Sequence, residues 1–249
     1  MLCGVAQTAP RLGEPARNLA ACLDRLEEAA ELGCRLVVLP ECAISGYMLA
    51  DEEEAAHVAE TVPGPSVEAF EQACARLDLH CIAGLLEQDG GHVRNTAVLV
   101  GPDGLVGRYR KTHLPYLGVD RFVEPGDEPP PVFETPLGRI GIQICYELRF
   151  PEVTRSLALR GAEIVAHPTN WPTAVRQFAD FLTRARAAEN RVFLLTANRI
   201  GREGRIEFLG RSQIVDPQGG RLAEAGEAGE ELAVAEIDAA EAREKDRAI

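Results

Sequence analysis

Short apolar runs alternate with longer amphipathic segments along almost the whole chain, and this alternation limits the fold more than any other feature. The run Leu36-Val37-Val38-Leu39 is apolar at every position, which is typical of strands in sheets covered on both faces. Residues 15–32 instead repeat apolar side chains at helical spacing, and Gly33 follows as a stop signal. The pattern predicts an α/β protein whose helices cover the faces of a sheet.

The predicted elements follow one another without a repeat or a linker. We expect strands at residues 2–7, 36–39, 80–86, 96–100, 105–110, 139–144, 163–166, 192–197, 212–216, 221–225 and 231–237. We expect helices at residues 15–32, 52–59, 66–77 and 151–160, and a long helix that ends at Asn190. Turn signals at Asp89-Gly90, 101–104 and 217–220 predict hairpins, so the sheet is expected to be mixed. A Pro-rich loop precedes the strand at 139–144.

Length and composition narrow the class of protein. A chain of 249 residues that is 46% hydrophobic can form one α/β domain, so residues 1–249 are predicted to be a single unit. The last dozen residues are charged and Ala-rich, which fits a solvated tail or an arm laid on a partner subunit. The net charge of −13 argues against a nucleic-acid partner and against an anionic membrane surface.

Targeting signals and metal-binding patterns are not found in the sequence. The seven cysteines are scattered without a Cys-x-x-Cys pair, so we interpret them as reduced thiols and expect no metal site. The N-terminus enters a strand-like run at once, and the longest apolar runs are too short to span a bilayer. We therefore expect a cytoplasmic protein that needs no cofactor.

Three reactive side chains follow predicted strands. Glu41, Lys111 and Cys145 come at or just after the ends of the strands at 36–39, 105–110 and 139–144. Ligands of α/β sheets bind beyond the carboxyl ends of strands, so these groups are expected to share one pocket. Each also has an ordinary explanation: a buried thiol is a small hydrophobe, and surface Glu and Lys side chains are usually solvated. A thiol near helix-terminus amides is nevertheless a candidate nucleophile.

The sequence around these three residues resembles the nitrilase superfamily of carbon–nitrogen hydrolases. The motifs that carry the resemblance are Leu36-Val37-Val38-Leu39-Pro40-Glu41, Gly107-Arg108-Tyr109-Arg110-Lys111-Thr112-His113-Leu114 and Gly138 to Glu152 around Cys145. Further similar stretches are residues 5–10, 45–47, 168–172, 186–190 and 210–217. The resemblance implies a four-layer α-β-β-α sandwich with mixed sheets, which usually pairs through helices into a homodimer or a higher homo-oligomer.

The same resemblance implies a role for each group. Cys145 would attack the carbonyl carbon of a small amide, and Glu41 would move the proton from the thiol to the departing ammonia. Lys111 and the Tyr146 backbone amide would hold the oxyanion, and a thioester on Cys145 would then be hydrolysed without a metal. Splitting an amide requires such a nucleophile, proton carrier and oxyanion site.

One position departs from the family pattern. Many members carry a second Glu seven to nine residues after the catalytic Lys, whereas the only carboxylate in that stretch here is Asp120. Glu124 lies further along and fits the ordinary Glu-Pro-Gly loop better. Asp120 is therefore the candidate supporting residue, since such carboxylates orient catalytic groups. The alternative is a loop cap.

The substrate is less constrained. Tyr146 stands where nitrile-cleaving members usually have Trp, so the resemblance favours an amidase that acts on linear amides. Tyr47, Asn170 and Trp171 are candidate pocket residues, although a single Trp is often a packing residue. Small aliphatic amides, ω-amides of keto acids, N-carbamoyl compounds and nitriles remain open as substrates.

Other function classes also remain open at this point. A Cys-His hydrolase would pair Cys145 with His113 or His167. A binding or scaffold protein on the same fold is another alternative, because fold does not imply function. Acyltransferases of the superfamily are less favoured, since they typically carry additional membrane segments or fused domains.

Overall fold

Two six-stranded mixed sheets form the centre of the structure, a computed structural model that describes residues 1–243. The strands are β1 (Leu2–Gln7), β2 (Leu36–Val38), β3 (His80–Asp89), β4 (His92–Gly101), β5 (Gly104–Arg110), β6 (Val132–Thr135), β7 (Gly138–Ile142), β8 (Ile164–Pro168), β9 (Phe193–Ala197), β10 (Arg202–Glu203), β11 (Ile206–Glu207), β12 (Gln213–Val215), β13 (Arg221–Glu224) and β14 (Glu231–Glu236). The α-helices are α1 (Pro15–Glu31), α2 (Glu52–Val58), α3 (Pro65–Leu77), α4 (Pro151–Leu159) and α5 (Thr183–Asn190).

Each sheet has a parallel centre and antiparallel edges. The first sheet has the order β14-β1-β2-β3-β4-β5, in which β1, β2 and β3 are parallel. The second has the order β13-β12-β9-β8-β7-β6, in which β7, β8 and β9 are parallel. The predicted hairpins pair β3 with β4, β4 with β5 and β12 with β13. The prediction of mixed sheets is therefore confirmed.

The two sheets pack face to face and helices cover their outer faces. Val38 lies in one hydrophobic cluster with Ile142 and Leu194 of the second sheet. The preceding residue of β2, Val37, instead packs with Leu26 of α1 and with residues of α3 on the outer face of the sheet. Successive side chains of a strand point to opposite faces, so a strand buried on both sides must be apolar throughout. On the second sheet, α4 and α5 form the outer layer. The resulting α-β-β-α order confirms the predicted sandwich.

The structure differs from the sequence prediction in several segments, which include the short hairpin of β10 and β11. The Pro-rich loop contains β6, which pairs with β7 at the sheet edge, and the run Pro129-Pro130-Pro131 concealed this short strand. The predicted long helix begins as a 3-10 turn at Thr173–Val175 and a π-helical turn at Phe178–Leu182. The Thr183 hydroxyl donates to the Phe178 carbonyl at 2.7 Å within this widened turn. Cys145 begins a 3-10 turn, Cys145–Arg149, which lies between the end of β7 and the start of α4.

The C-terminal segment packs on its own chain as far as it is described. Ala239–Ala242 form a 3-10 turn, and Ala239 and Ala242 join the same cluster as the second sheet. The remainder of the predicted tail, residues 244–249, lies outside the described residues, so a contact with a partner stays a prediction. All seven cysteines are free and buried. Within residues 1–243, none of the helices has the length and apolar character required to cross a membrane.

Candidate active site

A buried lysine lies between two carboxylates at one end of the sandwich. The Nζ atom of Lys111 is 2.6 Å from Glu41 Oε1 and 2.5 Å from Asp120 Oδ2. All three side chains are inaccessible to solvent. Burial alone would lower the pKa of Lys111, but Asp120 and Glu41 hold the pKa well above its usual value. Lys111 is therefore an ammonium ion in the folded protein.

Glu41 is held at the end of β2 by close backbone packing. A Cβ atom on Gly84 of β3 would lie 2.6 Å from the Glu41 Cα atom, so only glycine fits there. The Gly84 carbonyl accepts a hydrogen bond from the Ala43 amide at 2.9 Å. These contacts fix the backbone on both sides of the Glu41 side chain.

The second oxygen of Glu41 is available for proton transfer. Glu41 Oε2 is buried and has no hydrogen-bond partner within residues 1–243. Burial raises the pKa of the Glu41 carboxyl, Lys111 opposes the shift, and Asp120 reinforces it. The neighbouring Cys145 thiol acts in the opposite direction and favours the ionised carboxylate. The negative charge of Asp120 therefore increases the affinity of Glu41 for a proton, which suits a group that accepts a proton from a neighbour.

Asn95 joins the two carboxylates and was not predicted from the sequence. Its Nδ2 atom donates to Glu41 Oε1 and to Asp120 Oδ1, both at 2.8 Å. Asn95 lies in β4, and its carbonyl accepts from the Lys111 amide at 2.8 Å. In the sequence it stands between Arg94 and Thr96, so no local pattern distinguishes it from an ordinary polar residue.

Asp120 reaches the cluster from a 3-10 turn at Gly118–Arg121. Its Oδ2 atom also accepts from the Tyr47 hydroxyl at 2.8 Å, and the Val119 amide donates to the Tyr47 carbonyl at 2.8 Å. Gly118 has a φ of +55°, and a Cβ atom there would lie 2.5 Å from the Tyr47 ring. The structure thus brings Asp120 against Lys111, whereas Glu124 is exposed.

Cys145 occupies a strained position at the start of its 3-10 turn. Its φ of +48° is in the left-handed region, which is unfavourable for residues other than glycine. Burial raises the pKa of the thiol, and Glu41 adds to the shift, while Lys111, the Asn170 amide and the Thr169 hydroxyl oppose it. Burial therefore outweighs the groups that favour the thiolate, and the resting side chain is a neutral thiol.

His167 supports the backbone of Cys145 and does not act on the sulfur in this arrangement. Its Nε2 atom is 3.1 Å from the Cys145 carbonyl oxygen, and its Nδ1 atom is 3.3 Å from Thr196 Oγ1. Burial lowers the pKa of His167 to about 4. His113, the other histidine near the site, is stacked on Phe150 with the ring centroids 4.5 Å apart.

A small cavity of about 140 Å³ begins at Cys145. Four residues predicted from the sequence line it, namely Tyr47, Tyr146, Asn170 and Trp171. Further lining residues that the sequence did not indicate include Leu117, Arg149 and Phe178. The side-chain oxygen and nitrogen of Asn170 are buried without partners in the described part of the chain. Trp171 packs edge-on against His167 and Phe178, so it is both a packing residue and a wall of the cavity.

Comparison with known proteins agrees with this geometry. The Carbon-nitrogen hydrolase family model matches residues 2–247. A nitrilase of Pyrococcus abyssi is 40% identical over 93% of this chain and 87% of its own length. The omega-amidase NIT2 of Homo sapiens is 33% identical over 84% of this chain and 79% of its own length.

Solved structures have the same fold. Saccharomyces cerevisiae Nit3, a member of branch 10 of the nitrilase superfamily, has a TM-score of 0.90 at 27% identity, covering 100% of this chain and 94% of that one. A mutant of the amidase from Nesterenkonia sp. AN1 with acrylamide added to its active-site cysteine has a TM-score of 0.83 at 27% identity, covering 98% and 96%. The two-sheet fold, the placement of Cys145 and the family match together show that this chain belongs to the carbon–nitrogen hydrolases of the nitrilase superfamily.

Proposed function

We propose that this enzyme hydrolyses the C–N bond of a small linear amide through a thioester on Cys145, with Glu41 and Lys111 as the other catalytic residues. The observation that carries the proposal is the unpartnered Glu41 Oε2 beside a buried thiol, with Lys111 fixed on the other oxygen of the same carboxylate. This arrangement supplies a base for the nucleophile and a fixed positive charge for the carbonyl oxygen.

The first half-reaction forms the thioester. Glu41 removes the thiol proton as the Cys145 sulfur attacks the amide carbon, and the carbonyl oxygen becomes an oxyanion. Lys111 and the Tyr146 backbone amide donate to that oxyanion. Glu41 then gives its proton to the amide nitrogen, the C–N bond breaks, and ammonia leaves. The raised pKa of Glu41 suits a group that must hold a proton between these two steps.

The second half-reaction releases the acid. Glu41 removes a proton from water, the hydroxide attacks the thioester carbon, and the same two donors hold the new oxyanion. Collapse of this intermediate breaks the C–S bond and returns the proton from Glu41 to the Cys145 sulfur. Asp120 serves throughout as the positioning residue that keeps Lys111 charged and in place.

Two alternative functions have less support. A Cys-His hydrolase needs a histidine that accepts the thiol proton, but His167 contacts the Cys145 carbonyl and His113 hydrogen-bonds Thr112 at 2.9 Å. A binding protein does not require an unpartnered buried carboxylate oxygen beside a thiol. The desolvation that this group costs is understandable in an enzyme that uses it.

The cavity favours a substrate that carries a carboxylate at the end remote from the amide. Arg149 is the charged side chain among the described lining residues, and its guanidinium lies 5.9 Å from the Tyr146 ring centroid. A guanidinium pairs well with a carboxylate. This is the observation that favours ω-amides over simple aliphatic amides and nitriles without a carboxylate, and human NIT2 is named an omega-amidase.

We further propose that two copies pair through the helical layer of α4 and α5. Leu159 at the end of α4 is 79% exposed, and Phe181 before α5 is 60% exposed. Large exposed apolar side chains that lie on one helical layer mark a candidate surface for a protein partner. A second copy of the chain is the occupant that the family resemblance implies.

The thioester mechanism predicts that Cys145→Ala lowers ammonia release from succinamate to background. Intact-mass measurement of the wild type during turnover should show a covalent acyl group, and the Glu41→Gln variant, which lacks the base for both half-reactions, should release almost no ammonia. Cys74→Ala, a matched change of a buried thiol between α3 and the first sheet, should keep activity. Full ammonia release by Cys145→Ala, or its abolition by a chelator, would contradict the mechanism.

The Cys-His alternative can be tested with His167→Gln. A Gln side chain can retain a donor near the Cys145 carbonyl, so we expect hydrolysis to remain within about tenfold of the wild type, because no proton passes through this position. If His167→Gln lost turnover and its pH–rate profile also lost the alkaline or acid limb, His167 would instead be the base. His113→Gln provides the companion measurement.

His167→Gln also changes the pH dependence of the free energy of unfolding. The folded pKa of His167 is about 4 and the unfolded value about 6.5, so the unfolded chain binds a proton more readily. The contribution of His167 to the free energy of unfolding is therefore fully present above about pH 6.5. It is lost as the pH falls toward 4, by on the order of 3 kcal/mol. Chemical denaturation at several pH values should show a smaller slope for His167→Gln. The wild-type slope should persist in the control His92→Gln, which changes an exposed histidine.

The role of Arg149 predicts a change of specificity. Arg149→Met should lower kcat/KM for succinamate by about 10- to 100-fold, since charge-assisted hydrogen bonds contribute about 1.5–3 kcal/mol. The value for neutral succinamide, a substrate of similar size, should change little. Arg155→Met, on the exposed side of α4, serves as the control. An equal fall for both substrates would exclude carboxylate recognition by Arg149.

Pairing through α4 and α5 predicts that light scattering gives twice the mass of one chain. A charge at the covered surface should separate the copies, so Leu159→Glu and Phe181→Glu should each give the monomer mass. Leu32→Glu changes an exposed leucine at the end of α1, in the opposite helical layer, and should leave the dimer intact. If both Leu159→Glu and Phe181→Glu remained dimers, the interface would lie elsewhere.

A further inference from the structure

Glu147 is a fully buried carboxylate that links the two sheets beside the catalytic residues. It lies two positions after Cys145, in the same 3-10 turn, and none of its side chain is accessible to solvent. A buried carboxylate without partners would be costly. Both oxygens of Glu147 have partners, and these come from the two strand ends that carry Lys111 and Cys145.

One oxygen holds the segment around Lys111. Glu147 Oε1 accepts from the Tyr109 hydroxyl at 2.6 Å, from the Thr112 amide at 3.0 Å and from the Thr112 hydroxyl at 2.9 Å. Tyr109 lies in β5, two residues before Lys111, and Thr112 follows Lys111 directly. The carboxylate therefore contacts the chain on both sides of the lysine.

The other oxygen holds the segment before Cys145. Glu147 Oε2 accepts from the Ile144 amide at 2.7 Å, and the Glu147 amide donates to the Ile144 carbonyl at 3.0 Å. These two bonds fix the residue that precedes the nucleophile. The strained φ of Cys145 follows directly after this fixed residue, so the bonds also stabilise the turn that directs the thiol.

The charge on Glu147 is maintained despite its burial. Burial opposes ionisation, but hydrogen bonds from His113, Tyr109, Ile144 and Thr112 together lower the pKa of the carboxyl below its usual value. An ionised carboxylate accepts at both oxygens and donates at neither. It therefore fits a position where each oxygen faces N–H or O–H donors.

We propose that Glu147 is a positioning residue that sets the distance between Lys111 and Cys145, and thus the geometry of the oxyanion site. Lys111 follows β5 of the first sheet and Cys145 follows β7 of the second, so their separation depends on how the sheets are held together at this end. The inference rests on the proposed roles of Lys111 and Cys145. Glu147 itself contacts neither the reacting carbon nor the thiol.

Glu147→Gln is the sharpest test because it preserves shape and changes only charge and donors. The amide nitrogen of Gln would face either the Ile144 amide or the Thr112 amide, and both are donors. One strand end is therefore released in either orientation. Displacement of reacting groups by about 1 Å costs on the order of 100-fold in rate, so we expect kcat to fall by about that factor and KM to change less.

Glu163→Gln is the matched control. Glu163 is also buried and accepts from the Arg139 amide at 3.1 Å, from the Arg139 side chain and from Arg243. It precedes β8, at the opposite end of the second sheet from Cys145. Both variants should lower the thermal midpoint, but only Glu147→Gln should lower kcat and the rate at which iodoacetamide alkylates Cys145 in the folded protein.

A milder variant keeps the proposal testable if Glu147→Gln does not fold. Tyr109→Phe removes the 2.6 Å hydroxyl donor and leaves the ring in the core, so kcat should fall by about tenfold. In a folded Glu147→Gln protein the same change should have little further effect, because both act through one carboxylate. Fully additive losses would overturn the inference.

The outcomes separate this inference from the proposed function. Wild-type kcat and alkylation rates in Glu147→Gln and Tyr109→Phe would overturn the positioning role while leaving the thioester mechanism intact. Equal losses in Glu147→Gln and Glu163→Gln would reduce the effect to general destabilisation and would also overturn it. Hydrolysis that survives Cys145→Ala would instead remove the proposed function on which the inference rests.

Discussion

The buried ammonium ion of Lys111, held between Glu41 and Asp120, is the interaction on which the rest of the site depends. Removing these charges from water is costly, and their attraction offsets the cost only when the remaining donors and acceptors are satisfied. Asn95 and Tyr47 supply those additional hydrogen bonds. Four segments of the first half of the chain must therefore converge on one ammonium ion before the site exists.

The site draws its residues from both sheets of the sandwich. Glu41 and Lys111 lie at strand ends of the first sheet, whereas Cys145 follows a strand of the second. The apolar inner faces hold the sheets together along their length, but they do not fix the relative position of the strand ends to a fraction of an ångström. In our proposal, polar contacts between the sheets, such as those of Glu147, provide that precision.

Elements with a local signal were predictable from the sequence. The fully apolar 36–39 run and the turn chemistry at Asp89-Gly90 depend on neighbouring residues, and both predicted the observed strands. Asp120 was also recognisable, because its spacing from Lys111 resembles the family pattern. Asn95 and Glu147 were not recognised, since an isolated buried Asn or Glu acquires its role only from partners that are distant in the chain. The π-helical turn before α5 escaped prediction for a similar reason: helical periodicity does not report a widened turn.

The resting protonation of the site also follows from its low polarity. Burial raises the pKa of both Cys145 and Glu41. In the proposed mechanism, transfer of the thiol proton to Glu41 is therefore unfavourable until a substrate carbonyl accepts the negative charge. In the proposed mechanism, Lys111 stays charged throughout and stabilises the oxyanion more strongly than water would, because its position is fixed before the reaction. On that mechanism, Cys145 is activated only when an electrophilic carbon is present. A neutral thiol with a waiting base protects Cys145 from the side reactions that a permanent thiolate would undergo.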